Sequence, residues 1–147
     1  DKGWDKAMEG CAYVLHVASP FVIAEPKDEN EMIKPAVEGT LRALNAAKKA
    51  GIKKVVLTSS TVAMAGDKKK NHLTQESWTD AKTDKVSAYM KSKTFAEKVA
   101  WEFVNKDENT SMKLTTIHPS GIFGAPLGKN ISGLRNQTFH TMAPNFD

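Results

Sequence analysis

Apolar positions along the chain fall into two patterns. Three short runs, 13–18, 54–59 and 113–118, are rich in β-branched residues and too short for a helix, so they read as buried strands. Between the first two, Val37, Leu41 and Leu44 recur at helical spacing, with Asn30 placed to cap the segment, Pro35 near its first turn and Gly51 just past its end. Between the second and third, Ser87 can cap a segment in which Phe95, Val99 and Phe103 recur beside Ala96 and Ala100, and the polar stretch 105–110 closes it. The order is strand, helix, strand, helix, strand. Continuous hydrophobicity in the strands implies cover on both faces, hence parallel strands with right-handed crossovers. The expected class is α/β, half of a doubly wound parallel sheet. The stretch 125–147, rich in Gly, Asn, Pro and Thr, reads as loop or as the start of something further.

Composition narrows the setting. A chain of 147 residues, 40% hydrophobic and 26% charged, is neither disordered nor fibrous, and one core without disulfide staples is feasible at this length. The single cysteine, Cys11, excludes an internal disulfide and a thiolate zinc site and suits a reducing compartment. His16, His72, His118 and His140 lack metal-ligand spacing. No apolar stretch approaches the roughly 18–20 residues that span a bilayer, and the first ten residues lack a secretory apolar run, so a cytoplasmic protein off the membrane is expected. The net charge of +4 comes from 21 basic and 17 acidic residues. The lysines are dispersed among acids, and the one dense cluster, Lys68, Lys69 and Lys70, reads as a solvated loop. Nucleic acid is not an expected partner.

Ligands of open parallel sheets bind beyond the carboxyl ends of the strands. That rule selects Ala18, Ser19 and Pro20 after the first strand, Thr58, Ser59, Ser60 and Thr61 after the second, and Pro119, Ser120, Gly121 and Ile122 after the third. Tyr89 and Lys93, four apart at the start of a helix, share one face. An ammonium beside a phenol favours the phenolate and brings a group of pKa about 10 toward usefulness as a proton donor and acceptor. A Tyr-x-x-x-Lys spacing is common by chance. Its setting, one helix after a strand ending Thr-Ser-Ser, is less so, because a serine hydroxyl can then be aimed at the same point.

These residues resemble the extended short-chain dehydrogenase/reductases, in the NAD-dependent epimerase/dehydratase superfamily. The resemblance lies in TSS at a strand end, YMKSK opening a helix and HPSGIFG ending the third strand. VLHVASPF, KPAVEGT, QESWTD and KTFAEKVAWEF are similar to its dihydroflavonol reductase-like branch, and the likeness runs to Gly128. It implies a partial Rossmann-type NAD(P)-binding domain over 1–128, with 129–147 as the start of a substrate-domain segment or an irregular tail. It also implies NADP(H), rather than NAD(H), as cofactor and a small carbonyl or alcohol as substrate, and it leaves open pairing of two copies through equivalent helices. By the same resemblance Tyr89 donates the proton to a carbonyl as hydride arrives. Lys93 holds the nicotinamide ribose and keeps the tyrosine acidic, and Ser60, with Ser59 as rival, hydrogen-bonds the carbonyl oxygen. Ala18 and Ser19 line the cofactor, and Pro119 and Ile122 pack near the nicotinamide.

Three departures qualify the likeness. The family begins with a strand, a glycine-rich turn and a helix that receives the pyrophosphate, and nothing before Tyr13 supplies them, so the chain reads as a fragment without its cofactor-selecting residue. Ala36 stands where many members carry an Asn, which removes support for a proton relay through that helix. Ala63, Met64 and Ala65 occupy the neighbourhood where flavonoid reductases place an Asn, which favours a smaller, more apolar aldehyde or ketone. The alternatives are a nucleotide-sugar epimerase or dehydratase of the same fold and a dinucleotide-binding module without turnover.

Overall fold

The computed structural model describes residues 2–22, 24–66, 72–106 and 111–122. The lysine cluster within 67–71, positions 107–110 of the polar stretch, and 123–147, including the tail and His140, lie outside the described residues. The elements run α1 (Trp4–Met8), β1 (Tyr13–His16), α2 (Asn30–Lys49), β2 (Lys54–Thr58), α3 (Val62–Ala65), α4 (Ala88–Lys106) and β3 (Lys113–Ile117). The three strands form one parallel sheet in the order β1-β2-β3, with Val14 opposite Val55 and Val55 opposite Leu114. This is the expected α/β arrangement, with each strand one or two residues shorter than its apolar run. The five-residue α1 is too short for periodicity to reveal.

Cover of the sheet departs from expectation. α2 and α4 pack side by side, and Val14, Val55 and Leu57 are buried in one cluster with Leu44, Ala47 and Ala100 from those helices. The alternate positions Tyr13, Leu15, Val17 and Ile117 are 48–71% exposed, so among the described residues one face is covered and the other open. The cause is topological: crossovers of one hand that add strands in a single direction lay successive helices on the same face. The helix faces differ too. On α4 the buried positions are Ala88, Ser92, Lys93, Thr94, Ala96, Glu97 and Ala100, while Phe95, Val99 and Phe103 are only half-buried. On α2 they include Ala36, Thr40, Ala43, Leu44 and Ala47. Small residues line the contact because two helices lying on adjacent strands approach too closely for large ones.

The helix ends follow local chemistry. Ser87 Oγ accepts the Met90 N–H at 3.2 Å, as expected of a cap. At α2 the capping oxygen belongs to Asp28, which accepts the Asn30 N–H at 2.9 Å, so Asn30 is the first helical residue rather than the cap. Pro35 consequently sits in the second turn, and α4 runs on to Lys106, past the start of the polar stretch. Gly51 closes α2 at φ +72, the left-handed geometry that a terminating glycine supplies at no steric cost.

Candidate active site

All three strands are parallel, so their carboxyl ends open at one edge of the sheet. Beyond β2 the chain enters Ser59 and Ser60, both buried. Ser59 N–H donates to Ile117 O at 2.9 Å and Thr61 N–H to Pro119 O at 3.1 Å, which extends the β2–β3 pairing past the regular strands. α4 begins near this edge, and its first turn presents Tyr89. One turn later comes Lys93, 7% exposed.

Three of the expected groups converge. The Tyr89 phenol and the Ser60 side chain neighbour one another. Lys93 Nζ lies 5.9 Å from the Tyr89 ring centroid and donates to Thr58 O at 3.4 Å. Ala18 and Ser19 line the same small recess as Thr58, Ser59 and Lys93. Pro119 presents its carbonyl to Ser60 Oγ at 3.4 Å. Ile122 stands 72% exposed at the rim. The rival serine is placed elsewhere: Ser59 Oγ donates to Glu97 Oε2 at 2.5 Å, so its hydroxyl faces inward and Ser60 alone meets the phenol.

The electrostatics correct one expectation. Burial raises the Tyr89 phenol above its ordinary value of about 10, and the neighbouring Ser60 side chain offsets this only in part. Lys93 is itself pulled below its ordinary value by burial. The ammonium therefore does not hold the phenol in the phenolate range; the tyrosine is an intact O–H donor at neutral pH. His16, expected near the core, is half-buried with Nε2 3.4 Å from Thr40 Oγ1. Its imidazole lies below 6.5 because of burial and the nearby Lys93 charge.

Several residues at the site escaped the sequence reading. The Phe21 ring stands edge-on to Tyr89, with centroids 5.1 Å apart at 86°. Glu25 accepts the Ala88 N–H at 2.5 Å, and Glu29 pairs with Lys91 at 2.6 Å, so the segment between β1 and α2 clasps the start of α4. Glu97, 3% exposed, accepts from Ser59, from Trp101 Nε1 at 3.3 Å, and meets His118 Nε2 at 2.9 and 2.8 Å. His118, expected to pack near the core, is thus tied to a buried acid. A charge on the buried stripe of a helix, four residues after Lys93, was the available signal for Glu97; nothing local marks Phe21 or Glu25. Trp78 of the QESWTD loop is half-buried, with Lys98 Nζ 5.4 Å from its ring centroid, as suits a residue fastening the loop to α4. Thr79 fixes the loop to α3: its Oγ1 accepts from Gly66 N–H at 2.7 Å and donates to Val62 O at 2.6 Å. A side chain at Gly66 would meet Val62 O at 2.8 Å.

Residues 2–142 match the model of the 3-beta hydroxysteroid dehydrogenase/isomerase family. The chain belongs to this family. A cinnamoyl-CoA reductase of Medicago truncatula is 41% identical over 128 residues, which is 82% of this chain and 38% of that protein. A dihydroflavonol 4-reductase of Gerbera hybrida is 40% identical over 115 residues, 74% of this chain and 31% of that one. Among solved structures, yeast methylglyoxal/isovaleraldehyde reductase Gre2 complexed with NADPH superposes with a TM-score of 0.74 at 34% identity, covering 85% of this chain and 40% of that one. The dihydroflavonol reductase-like resemblance and the parallel Rossmann-like fold are borne out. The chain spans well under half the length of these relatives. No described helix is long and apolar enough to cross a membrane.

Proposed function

We propose that this chain forms the catalytic edge and the nicotinamide side of an NADP(H)-dependent oxidoreductase that reduces a small aldehyde or ketone to the alcohol, or runs the reverse. On this reading residues 1–128 are part of the nucleotide-binding domain. The observation that carries it is the neighbouring placement of Tyr89 and Ser60 at the carboxyl edge of a parallel sheet, with the Lys93 ammonium 5.9 Å from the phenol ring centroid.

The residues present fit the nicotinamide end of such a cofactor. Ala18 and Ser19 leave the backbone open to a flat ring, and the Lys93 ammonium has three donors, one of them held by Thr58 O at the long distance of 3.4 Å, so others remain for ribose hydroxyls. The cofactor supplies hydride when bound. The protein's part is to hold the carbonyl oxygen between two hydroxyls: Ser60 Oγ donates to it and stabilises the charge that develops there, and Tyr89 O–H delivers the proton. A phenol raised above its ordinary value is protonated at neutral pH, as a proton donor must be. Ala63, Met64 and Ala65 bring no polar side chain near α3 for a substrate's hydroxyls, in keeping with a small apolar substrate. The relatives named for NADPH and for aldehyde reduction support the choice of cofactor and class.

The test is a full-length preparation offered NADPH with a panel of short aliphatic and aromatic aldehydes and ketones. NADPH oxidation dependent on a carbonyl is expected. Tight NADPH binding with no turnover across the panel would contradict it and favour a module that binds without reacting.

A further inference from the structure

One buried acid is left without a task by this chemistry. Glu97 lies on the covered face of α4, and three donors or partners from three places converge on its carboxyl group. Ser59 from the end of β2 reaches it at 2.5 Å, His118 from the end of β3 at 2.9 and 2.8 Å, and Trp101, one turn along α4, at 3.3 Å. The 2.5 Å Ser59 contact is at the short end of O–H···O hydrogen bonds. A buried carboxyl satisfied on this many sides costs little as it stands and much if any partner leaves, so the three groups are mutually locked.

What these partners have in common is their position in the chain. Ser59 is the residue before Ser60. His118 is the residue before Pro119, whose carbonyl accepts from Ser60 Oγ at 3.4 Å and from Thr61 N–H at 3.1 Å. Glu97 therefore grips both backbone segments between which Ser60 is held. We propose that Glu97 is a positioning residue for the reaction: by clasping Ser59 and His118 it fixes the ends of β2 and β3 so that the Ser60 hydroxyl stays aimed at the Tyr89 phenol. This rests on the oxidoreductase reading for its consequence in turnover, though not for its structural half.

Two substitutions at Glu97 separate positioning from mere filling of space. Glu97→Leu keeps volume and removes every acceptor. Glu97→Gln keeps one acceptor oxygen for Ser59 and can turn its amide N–H toward an unprotonated His118 Nε2. In the full-length protein, amide hydrogen exchange at Ser59 and Thr61 is expected to speed up at least tenfold in Glu97→Leu and to stay within about threefold of the wild type in Glu97→Gln. Turnover is expected to follow, with kcat at least tenfold lower in the Leu variant, largely restored in the Gln variant, and KM for NADPH within about twofold in both. A folded Leu variant with wild-type exchange at both amides and wild-type kcat would overturn the proposal. If the Leu variant does not fold, Ser59→Ala removes one arm of the clasp alone; faster exchange at Thr61 with lowered kcat is then expected, and no change in either overturns the proposal. The two claims fail separately: a wild type without carbonyl-dependent turnover sinks the oxidoreductase reading and leaves the exchange measurement standing, whereas unaltered exchange sinks the clasp and leaves turnover standing.

Discussion

Ser59 and Ser60 are adjacent and chemically identical, yet the structure gives them opposite duties. Successive residues at a strand end point to opposite sides, so one hydroxyl turns inward to Glu97 and the other outward to Tyr89. The residue pattern names both serines, and the family resemblance puts Ser60 first with Ser59 as rival; what the pattern does not carry is the physical reason, which depends on where a helix begun nearly thirty residues later lays its buried acid. Tyr89 and Lys93 were legible from their spacing together with the Thr-Ser-Ser strand end before them, whereas the direction of the phenol's shift was not, since burial outweighs the Ser60 contribution and burial is a tertiary property. Ser60→Ala is expected to lower kcat/KM by about 10²–10³, the usual loss when one donor to a developing oxyanion is removed. Its unfolding midpoint in urea should remain close to the wild type, and a variant of full activity would reassign the donor.

The order of strands and crossover helices was readable because each β-branched run is short and each helix has its own stop signal, Gly51 for α2 and the polar stretch near Lys106 for α4. The faces were read less well. The periodicity points to large apolar residues such as Phe95 and Val99 as the buried stripe, whereas the close approach of α2 and α4 selects Ala, Ser and Thr for burial and leaves the large residues on the flank. The start of α4 depends on two distant anchors besides its own Ser87 cap: the Glu25 carboxylate on the Ala88 N–H and the Glu29–Lys91 pair. A carboxylate on a first-turn N–H adds a hydrogen bond and a favourable interaction with the helix dipole. Glu25→Ala is therefore expected to destabilise the protein by about 1 kcal/mol, seen as a lowered denaturation midpoint. Because Tyr89 is the next residue after Ala88, turnover should also fall; a variant with unchanged midpoint would show that the contact contributes nothing.

On the scale of the whole molecule, one sheet with two helices on one side leaves Tyr13, Leu15, Val17 and Ile117 open on the other among the described residues, a surface that the continuous apolar runs did not foretell. On the covered side His16 sits beside Thr40 and near the charge of Lys93. Its folded-state value lies below the ordinary 6.5, so the stability tied to the neutral ring is complete above about pH 6.5 and is lost as pH falls through the lower folded value. The thermal midpoint is expected to drop between pH 7 and pH 5, and to drop less in His16→Gln; equal slopes would remove His16 from the pH response. The proposed chemistry turns on a single proton, the one it assigns to Tyr89. The decisive measurement is the single-turnover rate of NADPH oxidation in Tyr89→Phe, with carbonyl substrate saturating and NADPH affinity measured separately. A loss of at least about 100-fold, within the range general acids contribute, with affinity changed by less than about threefold, is the expected result. A rate equal to the wild type would contradict the role of Tyr89 and the chemistry built on it.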